Sequence, residues 1–184
     1  MSIPSINSTL IFCLALLVTS VSMAKETRVF TEGNVPSAEE MADILLNSAP
    51  NNRSKQTKTR SISFGVKESS AAVSIGLPIK FDLNSSNLNN NSLSYLKQLG
   101  SMLNLQKMIN ENIMIVGHTD TSGSEPYNLN LSKKRAQAVR DFLTSNYQIE
   151  QNRIKTVGKG ESEILPGEPS TSALNRRVEF YRIQ

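Results

Sequence analysis

Asn112-Ile113-Met114-Ile115-Val116-Gly117-His118-Thr119-Asp120 is the stretch from which the fold can be read. Its first six residues form a short, strongly apolar run, the mark of an interior strand covered on both faces. Beyond it a helix is predicted over 131–146, where Ala136, Val139, Phe142 and Leu143 define one apolar face. Before it a helix is predicted over 92–104, with Leu93, Leu96, Leu99 and Leu103 on one side. Farther upstream Val73, Ile75, Leu77, Ile79 and Phe81 alternate with other residues, which predicts a strand over 73–81 with one buried face. Pro78 cannot donate a ladder hydrogen bond, so that strand is expected at an edge or near a bulge. Arg153 to Val157 and Val178 to Ile183 read as two more strands, separated by a Gly/Pro-rich loop at 158–174. The order β-α-β-α-β-β implies an α+β sandwich with helices packed on one mixed sheet, spanning residues 71–184.

The N-terminal part is of a different texture. Met1 to Ala24 carries no charged side chain, has a continuous apolar stretch from Leu10 to Val18, and ends in Ser22-Met23-Ala24. That is the pattern of a secretory signal peptide cut after Ala24. The apolar stretch would cover roughly 14 Å as a helix, against about 30 Å of hydrocarbon, which favours a cleaved signal over a spanning helix. The n-region lacks Lys and Arg, so retention as an anchor stays open. Residues 25–70 form an N-terminal extension. Ser37-Ala38-Glu39-Glu40 is a capping box that opens a short helix, 38–48, with Met41, Ile44 and Leu45 on one stripe. Asn51 to Arg60 has no apolar residue and four basic ones, and reads as a linker.

Cys13 is the single cysteine and lies within the apolar stretch, so the exported chain has no disulfide and no thiol chemistry. The formal net charge is +4. In an exported protein that balance suits anionic envelope polymers or a solvated surface better than nucleic acid.

The loop from Gly117 to Leu131 is longer than usual for a strand-to-helix connection, with Ser132 expected to cap the helix that follows. Arg135 is then in the first helical turn, roughly 50° from the centre of the apolar face. A cation there must snorkel or meet an anion. Asp120, at the strand exit, is its natural counterpart. One reading is an Asp120–Arg135 salt bridge that ties loop to helix. The other is a clamp for a zwitterion, with Arg135 holding a carboxylate bidentately and Asp120 accepting from an ammonium group.

Phe81-Asp82, Gly117-His118-Thr119-Asp120, Gly123, Tyr127-Asn128, Leu131-Ser132 with Arg135-Ala136, Gly160-Glu161 and Asn175-Arg176-Arg177-Val178-Glu179 occur in order and sensibly spaced. From about Val73 to the C-terminus this set resembles the OmpA-like peptidoglycan-binding domain. The resemblance implies that Asp120 and Arg135 clamp the free amino-acid end of diaminopimelate in the wall's stem peptide. Asp82, Thr119 and Asn128 match positions lining the same pocket, while Asn175 to Glu179 are expected to serve the last strand. Two usual companions of the domain do not match: no N-terminal barrel is seen, and Cys13 does not fit a lipoprotein pattern.

The expectation is therefore a non-catalytic periplasmic protein, associated with the wall and the outer membrane, whose partner is peptidoglycan. No cofactor and no metal site are expected. An enzyme is the rival class, but His118 is the only histidine, which leaves a His118–Asp120 dyad as its one candidate. A second rival is an interaction module in which residues 25–60 bind an envelope protein and the wall domain is a tether.

Overall fold

The computed structural model describes residues 26–47, 73–82 and 84–183. The expected signal peptide, Cys13 and the basic linker at 51–60 lie outside the described residues.

The strands are β1 (Glu26–Val29), β2 (Val73–Leu77), β3 (Asn112–His118), β4 (Ile154–Gly160) and β5 (Val178–Ile183). They form one sheet in the order β1-β2-β5-β3-β4. β1 runs parallel to β2 and β3 parallel to β4, whereas β5 is antiparallel to both β2 and β3. The sheet is mixed, as expected. The helices are α1 (Ala38–Asn47), α2 (Leu93–Leu103) and α3 (Glu125–Tyr147). α1 packs on β2 and α2, α3 packs on β3 and β4, and α2 and α3 touch each other. Between the layers lies one core that includes Ile75, Leu77, Leu96, Leu99, Ile113, Ile115, Val139, Leu143 and Phe180.

The expected β-α-β-α-β-β order is that of β2 to β5 with α2 and α3. An additional strand precedes it. β1 reads Glu-Thr-Arg-Val, and its residues are alternately exposed and half-buried, so it carried almost no hydrophobic signal. It nevertheless takes the sheet edge, which makes β2 an interior strand rather than the edge expected from Pro78. The ladder ends at Leu77, one residue before that proline, and Phe81 makes only an isolated bridge to Leu88. The missing N–H therefore ends the strand and does not place it at an edge. α1 is part of the same body: Met41, Ala42 and Leu45 are fully buried in the shared core, and its Ala38 N–H donates to Gln98 of α2.

α3 begins earlier than expected. Its N-cap is Ser124 and Pro126 sits in its first turn, where a missing N–H costs nothing. Ser132 is consequently a buried helical residue, not a cap. Its hydroxyl donates to the Leu129 carbonyl and accepts from the Gly160 N–H, which pins α3 to β4. Close approach at two glycines fixes this contact. A Cβ at Gly117 would stand 2.1 Å from the Ser132 carbonyl oxygen. Gly160, at φ +54°, would place one 2.9 Å from the Leu129 nitrogen. The loop 119–124 is short, and Asn128 of α3 holds its backbone through the Asp120 and Ser122 carbonyls.

Candidate ligand-binding site

β3 delivers Asp120 one residue beyond Thr119, whose N–H bonds the Gly160 carbonyl at 2.8 Å. Asp120 is 6% exposed. Its Oδ1 accepts the Ser122 N–H at 3.0 Å, and its Oδ2 accepts from Arg176 Nη1 at 2.6 Å. Burial by itself would raise this carboxyl. The Arg176 guanidinium and the Ser122 N–H outweigh burial and hold it below its ordinary value. The carboxylate is thus kept ionised in a largely dry place.

Arg135 is not its ion-pair partner. It lies in the third turn of α3 rather than the first, so the helix dipole has little hold on it. Its Nε donates to the Ser85 carbonyl at 3.1 Å, and its guanidinium carbon lies 4.9 Å from the centre of the Phe81 ring. Burial lowers its pKa and the nearby Arg176 adds to this, while Tyr127 and Asp120 oppose it. It remains a cation, as arginine does in proteins. Among the described residues no carboxylate forms a salt bridge with it. A cavity of about 300 Å³ opens in front of it, lined also by Lys80, Phe81, Asn89, His118 and Arg176. A fixed, partly desolvated guanidinium facing a cavity suits a ligand carboxylate.

The other expected residues divide. Thr119 is 3% exposed, and its hydroxyl has no hydrogen-bond partner among the described residues. Asn128 is buried and spends its amide on the Asp120 and Ser122 carbonyls and on Glu161, so it shapes the loop that carries Asp120. Asp82 is exposed and accepts a long contact from Asn89 at 3.4 Å, at the rim beyond Phe81. Arg176, expected with the rest of Asn175 to Glu179 to serve the last strand, instead holds Asp120. Only its position in the motif could have signalled this, since β5 approaches β3 through pairing that spacing does not reveal.

His118 belongs to another cluster. Its Nε2 is 3.5 Å from Glu179 Oε1, and both side chains are buried. Arg177 reaches the same oxygen with Nε at 2.8 Å and Nη2 at 2.6 Å. Ser74 donates to the other carboxylate oxygen and is bonded in turn to Thr27 of β1. The imidazole therefore faces Glu179, which gives the candidate His118–Asp120 dyad of the rival enzyme reading no geometric support.

Residues 80–177 match the OmpA family. Outer membrane porin F of Pseudomonas aeruginosa is 37% identical over 109 residues, which are 58% of this chain and 31% of that protein. The chain thus spans about a third of that relative's length. A peptidoglycan-associated lipoprotein of Buchnera aphidicola is 33% identical over 134 residues, covering 71% of this chain and 76% of its own. Among solved structures, the peptidoglycan-associated lipoprotein of Burkholderia pseudomallei superposes with a TM-score of 0.48 at 29% identity, over 57% of this chain and 88% of that one. With the family match extending over more than half of its length and enclosing Asp82, Asp120, Arg135 and Arg176, this chain belongs to the OmpA family.

Proposed function

We propose that this chain binds peptidoglycan without catalysis, by clamping the free amino-acid end of a diaminopimelate side chain, and so anchors or braces the cell envelope. The observation that carries the reading is Arg135: a half-buried guanidinium on a cavity wall, backed by Phe81 and Ser85, with no carboxylate of its own among the described residues. Arg135 takes the ligand carboxylate. Asp120, kept ionised beside Arg176, takes the ammonium group, for which a carboxylate still has free lone pairs. Asn128 holds the Asp120 loop in register, and Thr119 offers a buried hydroxyl. The name of the Buchnera relative supports wall association, and that of the Pseudomonas porin supports the outer envelope as its location. No acid–base pair or nucleophile is needed for this role.

A reading in which the α1 stripe recruits a protein partner draws no support from the geometry, because Met41, Ala42 and Leu45 are spent in the core.

The test uses two kinds of purified wall. Lysine-type stems have the side-chain amine without the adjoining carboxylate. The protein is expected to co-sediment with diaminopimelate-type wall and to bind lysine-type wall at least 30-fold more weakly, since losing one partner of a desolvated charged contact costs about 2–5 kcal/mol. Equal binding to both walls would remove the zwitterion clamp. Sustained release of soluble muropeptides would replace binding with catalysis.

A further inference from the structure

Tyr127 belongs to the motif set, yet the clamp does not use its ring face. It lies in the first turn of α3 and is 44% exposed. The ring is held in place. Its hydroxyl donates to Asn84 Oδ1 at 3.4 Å, and a Cβ on Gly123 would meet the ring edge at 3.6 Å. Asn84 sits at φ +51°, the left-handed region that asparagine tolerates best among residues with a side chain. The loop thus takes an uncommon conformation opposite an aromatic face that remains open to solvent.

Around this ring is a cleft of about 240 Å³, lined by Asn84, Ser85, Ser86, Asn130 and Lys134. The Asn130 amide and the Ser86 hydroxyl have no hydrogen-bond partner among the described residues. The cleft adjoins the clamp, because the Ser85 carbonyl accepts from Arg135 and Tyr127 is near enough to influence the charge on that arginine. A pyranose ring fits this composition. Its C–H face is apolar and stacks on an aromatic ring, while its rim of hydroxyls and an acetamido group both donates and accepts. Lys134 is the one charged side chain on the lining, so a highly charged ligand would be poorly matched.

The spacing agrees. Tyr127 and Arg135 share one helix and lie roughly 12 Å apart along its axis. In a wall fragment about two residues, an ether link and the diaminopimelate side chain itself separate the clamped end from the sugar, on the order of 15 Å when extended and so long enough to span that distance. Building on the clamp reading, we propose that the cleft around Tyr127 is a sugar subsite that seats the N-acetylated muramic acid ring of the fragment held at Asp120 and Arg135.

The test is calorimetric titration of the full chain with two probes: a free diaminopimelate-containing tetrapeptide, and the same tetrapeptide on its disaccharide. The disaccharide probe is expected to bind about three- to tenfold more tightly, the range for one aromatic contact. Asn130→Ala should reduce that increment and leave the free-peptide affinity unchanged, and Tyr127→Ala should cost the disaccharide probe more than the free peptide. Tyr127→Phe keeps the ring and should retain most of the increment. Equal affinity of the wild type for both probes would overturn the sugar subsite and leave the clamp standing. Equal losses for both probes in Tyr127→Ala would also overturn it, because the ring would then serve the peptide. Failure of the free peptide to bind at all would instead sink the clamp, and this subsite with it.

Discussion

Arg176 and Arg177 are neighbours in the chain and have opposite fates. Arg177 turns into the sheet, with its side chain 4% exposed, and shares a sealed carboxylate with His118. Arg176 turns outward, with its side chain 50% exposed, and reaches over the cavity to Asp120. One pair is packed within the sheet, and the other stands beside a cavity that Arg176 helps to line. The charges in this molecule are therefore not interchangeable. The buried set ties β1, β2, β3 and β5 together, while the open set keeps the Asp120 carboxylate ionised beside Arg176.

The sharpest way to break the closed half is Glu179→Ala, which removes the carboxylate facing Arg177. Losing one member of a buried pair costs about 3–5 kcal/mol. For a chain of this size that lowers the melting temperature by on the order of 10 °C, readable by circular dichroism. A change no larger than a surface mutation gives would show that the cluster is not structural.

Gly117→Ala should act next most strongly, and through packing rather than charge. The added methyl group meets the Ser132 carbonyl, so α3 must move away from β3. About 1–3 kcal/mol of stability should be lost, by denaturant titration. Wall binding should fall as well, because the same helix carries Arg135.

Arg176→Ala tests the open half, and its effect is a shift in pH rather than a loss of fold. The folded Asp120 carboxyl is depressed, so its contribution is present above the unfolded value of about 3.9 and is lost only as pH falls through the lower folded value. Wild-type binding should therefore persist to about pH 4 or below. Without the guanidinium a main contribution offsetting burial is gone, so the carboxyl rises from its wild-type value and the variant should lose binding at a higher pH. Arg176→Lys should restore much of the wild-type profile. Identical profiles for wild type and Arg176→Ala would show that the contact does not govern ionisation.

Much of the fold was legible because it is written in periodicity. The apolar run from Ile113 to Val116 and the leucines of α2 left little choice of element. β1 was illegible for a physical reason: a four-residue edge strand with half-exposed side chains needs backbone pairing more than hydrophobicity. The start of α3 was misjudged because Glu125-Pro126-Tyr127-Asn128 lacks an apolar stripe, and its first turns are held by Ser132, Asn128 and the glycines beneath them. The same error made the Asp120 loop seem long and put Arg135 in the wrong turn. The proposed site starts from Asp120 and Arg135, whose charge and spacing are local. Arg176 was missed as a site residue because its approach depends on β5 pairing with β3, a contact between distant parts of the chain.

The central claim is that Asp120 and Arg135 act as a clamp while the neighbouring buried ion cluster does not. It is tested most directly by co-sedimentation of Asp120→Ala and Arg135→Ala with purified diaminopimelate-type sacculi, with melting temperature measured on the same samples. Each variant is expected to melt within a few degrees of the wild type and to bind at least 30-fold more weakly, the equivalent of about 2 kcal/mol or more. Folded variants that sediment like the wild type would contradict it.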